Sequence, residues 1–283
     1  MRVKQAVFPS QKHAASDHVQ IARVFMASAV RYALEIRRYR GTWLKIFIFG
    51  PVQVILPVLL LSLSLGGRGK QLVYTPFSAY IALGGLTWMW FYNVVWDSYL
   101  LIRTEKIRKT MLSIYLSPYT PLAWAGGATC VITCIHFLAA SLTFVLLAFL
   151  FHIHTYFSPL YVLSVAGGFV IIWSSSLVMA AIALRFRDVL QIMVVLTDTL
   201  FSFSGATYQI NQISTTFRWL LYLFPIFVTV ASLERLSMTS HYGFDVALYG
   251  WLLFFAFGLP IGSVLWYRFL DRRSRVHAQI SKY

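Results

Sequence analysis

Three ionisable side chains, Asp97, His136 and Asp198, interrupt runs of this sequence that are otherwise apolar. Charge inside a bilayer is costly, so residues of this kind mark proton, ion or substrate paths. His136 lies near the middle of one run and Asp198 near the middle of another, which makes a His–Asp pair across two helices a candidate proton carrier. Asp97 lies near the end of its run, where a loop arginine can neutralise it. The plainer reading of each is a packed, hydrogen-bonded group. Trp88, Tyr92, Trp96 and Tyr99 recur along one helix face. Such a stripe stacks on the apolar faces of sugars or on lipid and drug skeletons, or else serves helix packing and the interfacial belt. Beyond a later apolar piece, Glu234 and Arg235 form either a clasp or an exposed pair of little worth.

Other constellations fail on their chemistry. Gly66-Gly67-Arg68-Gly69-Lys70 resembles a phosphate loop, but Gln71 stands where Ser or Thr is required and no strand precedes it. Cys130 and Cys134, four apart in one apolar run, read as small buried residues. His152 and His154 are too few for a metal site. There is no Asp-x-Asp pair for a metal-bound sugar nucleotide, and nine acidic residues are few for an embedded transferase.

The elements that must position these residues are membrane helices. With 59% hydrophobic and 12% charged residues among 283, the chain is a polytopic α-helical membrane protein. Its net charge of +15 is divided among termini and short loops flanking apolar runs, which indicates membrane topology and argues against nucleic acid. Residues 1–42 lack a cleavable signal pattern and read as a loose lead followed by an interfacial amphipathic helix. In that helix Asp17 and Gln20 form a capping pair, and Ile21, Phe25, Ala29, Tyr32 and Ile36 form the apolar side. Residues 43–283 form the transmembrane domain, with crossings at about 43–65, 77–102, 121–151, 159–184, from 189, and 246–266. Gly167-Gly168 and Ser174-Ser175-Ser176 suit close helix contact. A basic amphipathic helix is expected over about 103–118, carrying Arg103, Glu105, Lys106, Arg108 and Lys109. A second charged turn holds Arg187 and Asp188.

The apolar piece from Phe217 to Val230 is shorter than a span, so an external re-entrant pair of half-helices is expected over about 204–235. With six crossings, 20 of the 24 Lys and Arg residues lie on one side, counting the basic tail at 267–283; a seventh would move that tail across. The positive-inside rule then places both termini in the cytoplasm of a plasma or inner membrane.

In this order the pieces resemble the membrane subunit of type-2 ABC exporters, over about Val19 to Arg275. They are the interfacial helix, the basic helix ending in Leu116-Ser117-Pro118, Arg187-Asp188 before the fifth crossing, Gly205 with Tyr208 after it, and then Phe224-Pro225 and Arg235. The family commonly has Asn before that proline, where this chain has Phe224. The resemblance implies a dimer of this chain above two nucleotide-binding ATPase subunits, which hold the ATP and Mg. This chain would carry no cofactor. It implies ATPase contacts at Arg103, Glu105, Lys106, Arg108, Lys109, Arg187 and Asp188. The pathway would lie along Trp88, Tyr92, Trp96 and Tyr99, with an outer gate at Gly205, Tyr208, Pro225, Glu234 and Arg235. The cargo would be a glycan, glycolipid or other amphiphile such as a drug or lipid. A proton-coupled carrier is the alternative, although the first three crossings show no repeat in the last three.

Overall fold

The computed structural model describes residues 14–49, 51–56, 76–116, 121–151, 159–186, 190–206, 213–238 and 245–276. The described residues form helices and no strands. These are α1 (Ala14–Arg38), α2 (Arg40–Leu44) running into a π-helical turn (Lys45–Phe49), α3 (Pro76–Ile107), α4 (Met111–Leu116), α5 (Pro121–Phe151), α6 (Pro159–Arg185), α7 (Leu190–Phe203), α8 (Thr215–Leu221), α9 (Pro225–Met238) and α10 (Val246–Val276). Helix starts follow local chemistry. Pro76, Pro121, Pro159 and Pro225 each occupy a first helical position, where a missing N–H costs nothing and the fixed φ is already helical. Asp245 starts α10 by accepting the backbone N–H groups of Ala247 and Leu248 at 3.1 and 3.3 Å.

Three helices are long and apolar enough to cross a membrane: Pro121–Phe149, Pro159–Arg185 and Val246–Arg273. α6 is the hub, packing against α3, α5, α9 and α10. Its small residues permit this: a Cβ on Gly168 would stand 2.7 Å from Thr229 of α9, and one on Gly167 would stand 3.2 Å from Leu252 of α10. α7 differs from the other helices. It has 14 residues, about 21 Å at the usual rise, and of its side chains only Met193 and Thr197 are buried.

α1 starts at Ala14, so Asp17 lies inside its first turn and not at a cap. The helix packs along α5, with Phe25 and Ser28 against Gly126 and Gly127, and leaves Met26, Val30 and Leu34 exposed. Contact is tightest at Gly127, whose Cβ would stand 2.1 Å from Ser28 Oγ and 2.2 Å from the Phe25 carbonyl oxygen. Trp173 of α6 completes the joint: its indole N–H donates to Gly126 O at 3.2 Å, and its ring meets Phe25 edge-on at 6.4 Å. Cys130 is half-buried and Cys134 exposed, which corrects the expectation that both are buried; the pair faces outward from α5.

Candidate functional site

α3 carries most of the candidate residues. The segment expected as one helix over about 103–118 is divided in two. Arg103, Glu105 and Lys106 lie in the last turns of α3, and the chain bends at Arg108–Thr110 before α4 begins. The bend is a Schellman closure: Thr110 N–H donates to Glu105 O at 3.1 Å and Lys109 N–H to Lys106 O at 3.0 Å. The αL position usually filled by Gly is Lys109, with φ +59°. A Cβ there costs about 1 kcal/mol. Lys109→Gly should therefore raise protein stability by about that amount, seen as a higher unfolding midpoint in detergent; an unchanged or lower midpoint would contradict the strain.

Glu105 is 4% exposed. It accepts from Arg31 of α1 at 3.3 Å and from the Thr110 hydroxyl. Four residues along α1, Glu35 accepts from Arg108 at 3.2 Å, which holds that exposed guanidinium above its ordinary pKa. Arg31 and Glu35 thus match Glu105 and Arg108 with opposite charge order, and α1 is clasped to the bend. Burial, then the charges of Asp97 and Glu35, push the Tyr32 phenol well above its usual value.

Lys106 points to the other neighbour. Its ammonium donates to Phe186 O at 3.3 Å, just past the end of α6, where carbonyls are left open. This contact ties the bend to the second charged turn. Arg187 and Asp188 of that turn lie outside the described residues. Burial lowers the Lys106 pKa to about 8. An unfolded lysine titrates near 10.4, so between these values the unfolded chain holds more protons and stability rises with pH. Below about 8 both forms are protonated and the burial cost is carried in full. Pulsed acylation read by mass spectrometry should show Lys106 titrating near that value; a curve near the ordinary lysine value would refute the shift.

Deeper along α3, Asp97 uses both carboxylate oxygens. His136 Nε2 of α5 lies 2.8 Å from Oδ2, and Lys45, in the π-helical turn, donates to Oδ1. His136 is 2% exposed. The candidate His136–Asp198 pair is not formed: packing of α3 on α5 gives His136 to Asp97, while Asp198 is exposed on α7. Besides His136, the partner of Asp97 is a lysine of the π-helical turn, where a loop arginine was expected. A cleft of ≈ 330 Å³ opens here between the end of α1, the residues that follow it up to Lys45, and α3.

The aromatic face of α3 is a continuous ladder. Ring centroids are 6.3 Å apart for Trp88 and Tyr92, 5.9 Å for Tyr92 and Trp96, and 6.1 Å for Trp96 and Tyr99. Trp88 also meets Phe201 of α7 at 5.1 Å. Trp88, Tyr92 and Trp96 are half-buried and Tyr99 is buried. Among the described residues, Trp96 Nε1 and the Tyr99 hydroxyl have no hydrogen-bond partner.

At the opposite end, Gly205 takes φ +79° and ends α7 against the Phe227 ring of α9, 3.1 Å from where a Cβ would be. Pro225 opens α9, and Phe224 before it stacks on Phe203 at 4.9 Å. Glu234 does not form an exposed pair: it is 1% exposed, and a Cβ on Gly84 of α3 would stand 2.4 Å from its Oε1. The side chain of Arg235 and all of Tyr208 lie outside the described residues.

Lys45, Arg31, Glu35 and Thr110 are the residues that the sequence reading left unassigned. The four-residue spacing of Arg31 and Glu35 against the three-residue spacing of Glu105 and Arg108 was a readable signal for the clasp. Nothing comparable pointed to Lys45. No protein-family model matches the chain, and comparison with curated proteins finds no match.

Proposed function

We propose that this chain is the membrane subunit of an ATP-driven exporter. In this reading it crosses a plasma or inner membrane six times with both termini inside, carries an external re-entrant pair built from α8 and α9, and works as a dimer above two ATPase subunits. The observation that carries the proposal is the clasped bend. Ile107, Leu112 and Leu116 are 70, 53 and 77% exposed beside Arg108 and Lys109, while Glu105 and Arg108 tie the same turn rigidly to α1. An exposed apolar and basic tip on a braced helix end receives force from a partner and transmits it to α3, which bears the aromatic ladder. Asp198 supports the dimer: an exposed carboxylate on an apolar helix is tolerated in a membrane where it faces a pathway or a second subunit. The ladder, with its two buried donors, suits a glycan or glycolipid, and drug or lipid cargo of the same amphiphilic kind is the alternative.

The test is ATP turnover in proteoliposomes. The purified chain alone should hydrolyse no ATP. With a separate nucleotide-binding ATPase subunit as partner, hydrolysis should appear and fall about tenfold in Arg108→Glu, then recover when Glu35→Arg restores the pair. A proton-coupled carrier is favoured by one observation, the 2.8 Å contact of His136 with Asp97. Cargo movement by the chain alone, abolished by collapsing a pH gradient, would establish that reading and overturn the exporter.

A further inference from the structure

Asp198 is the one charged residue of α7, and it is exposed on the side of that helix. None of the ion pairs among the described residues includes its carboxylate. What stands opposite is aromatic. Phe201, three residues further on and so on the same side of α7, meets the Trp88 ring of α3 at 5.1 Å. One turn along α3 from Trp88 comes Tyr92, whose phenol is close enough to Asp198 to feel its charge. The two helices therefore run in opposite directions here and set a carboxylate beside the ladder. Trp88, Tyr92 and Trp96 are half-buried, so each keeps part of its surface open, and their ring centroids follow one another at 6.3 and 5.9 Å.

A carboxylate without a counter-charge and the negative face of an aromatic ring attract the same kind of group. A metal ion is poorly served, because it takes several oxygen ligands, and among the described residues no three His, Cys, Asp or Glu side chains could hold one. A cation whose charge is spread over a carbon framework needs no such cage and gains from ring contact. From this geometry we infer that the groove between α3 and α7 binds an organic cation on an apolar body, its charge set between the Asp198 carboxylate and the Tyr92 ring. Trp88 and Trp96 flank that ring along α3, and Phe201 continues the apolar wall on α7. As a statement about cargo this rests on the exporter reading, and it selects the positively charged members of the amphiphiles named there. As a statement about binding it needs only the purified chain.

Tetraphenylphosphonium and tetraphenylborate, of similar size and apolarity but opposite charge, are the probes. Saturable binding of each is measured by equilibrium dialysis against the full chain in a neutral detergent, with no ATPase subunit present. The phosphonium should bind about tenfold more tightly than the borate. Asp198→Asn should weaken phosphonium binding about tenfold and Tyr92→Leu about fivefold, whereas Tyr92→Phe, which keeps the ring, should change it less than about twofold. Asp198→Lys should turn the preference of the site to the borate, a gain that unfolding cannot produce. Equal binding of the two ions by the unaltered chain would show an apolar surface only, and phosphonium binding untouched by Asp198→Asn would place the cation elsewhere; either result overturns the inference. So does an unaltered chain that binds no phosphonium and forms a dimer lost in Asp198→Asn, which gives the carboxylate to a second copy. Selective phosphonium binding by a chain that stimulates no ATP turnover in a partner subunit upholds the site and overturns the exporter, so the two readings fail separately.

Discussion

Asp97→Ala should destabilise the protein by about 3 kcal/mol, because it removes one partner from a mostly buried charged cluster and leaves the others in place. His136, 2% exposed, would keep a ring N–H with no carboxylate to receive it. Lys45 is half exposed and can turn to water, which is why the cost falls at the lower end for a broken buried pair. Denaturation in detergent should show the loss, and a His136→Phe, Asp97→Leu double variant should recover part of it, since replacing both partners by apolar groups of similar volume removes the desolvation penalty. Full stability in Asp97→Ala would mean that the carboxylate does not hold the π-helical turn to α3 and α5.

Gly127→Ala should detach α1. A methyl group there falls within 2.2 Å of the Phe25 carbonyl oxygen, a backbone atom that cannot rotate away. The helix must move by more than an ångström, giving up the Phe25 contact with Trp173 and drawing Arg31 and Glu35 away from Glu105 and Arg108. The cost is about 3 kcal/mol or more, at the upper end for an overpacked site. Proteolysis after Arg31 or Arg37 should become faster by about a hundredfold if the loss is local. Gly126→Ala is the control: its Cβ meets the Phe25 ring at 3.5 Å, an ordinary contact, and that variant should behave as wild type.

How far these residues were legible in the sequence depended on whether their partners were near in the chain. The prolines that open α5 and α6 could be read as helix starts, because the missing N–H and fixed φ act within a single turn, whereas Pro225, which opens α9, reads in the sequence as an interruption of the apolar piece from Phe217 to Val230. The three long apolar helices followed from length and composition. Gly167 and Gly168 were read as contact residues, although their partners Leu252 and Thr229 were not. The break at Arg108–Thr110 left no trace, since apolar spacing continues across it and Lys109 stands where Gly would have signalled the αL turn. His136 is the packed, hydrogen-bonded group of the plainer reading, but its partner Asp97, in place of the candidate Asp198, was not legible for a related reason. Midpoint positions in two runs say nothing about the rotation of either helix, and α7 turned out to stand away from α5.

From the sequence alone come the α-helical membrane class, the starts of the main helices, the aromatic face of α3 and the basic character of its end. All of these arise from hydrogen bonds and side-chain spacing within a few residues. The tertiary structure alone decided that Asp97 meets Lys45 and His136, that Glu105 and Arg108 clasp α1, and that Glu234 is buried against Gly84. Each residue along a helix turns its side chain by about 100°, so the partner of a charge is set by how closely neighbouring helices approach and at what rotation, which the glycine contacts between them determine.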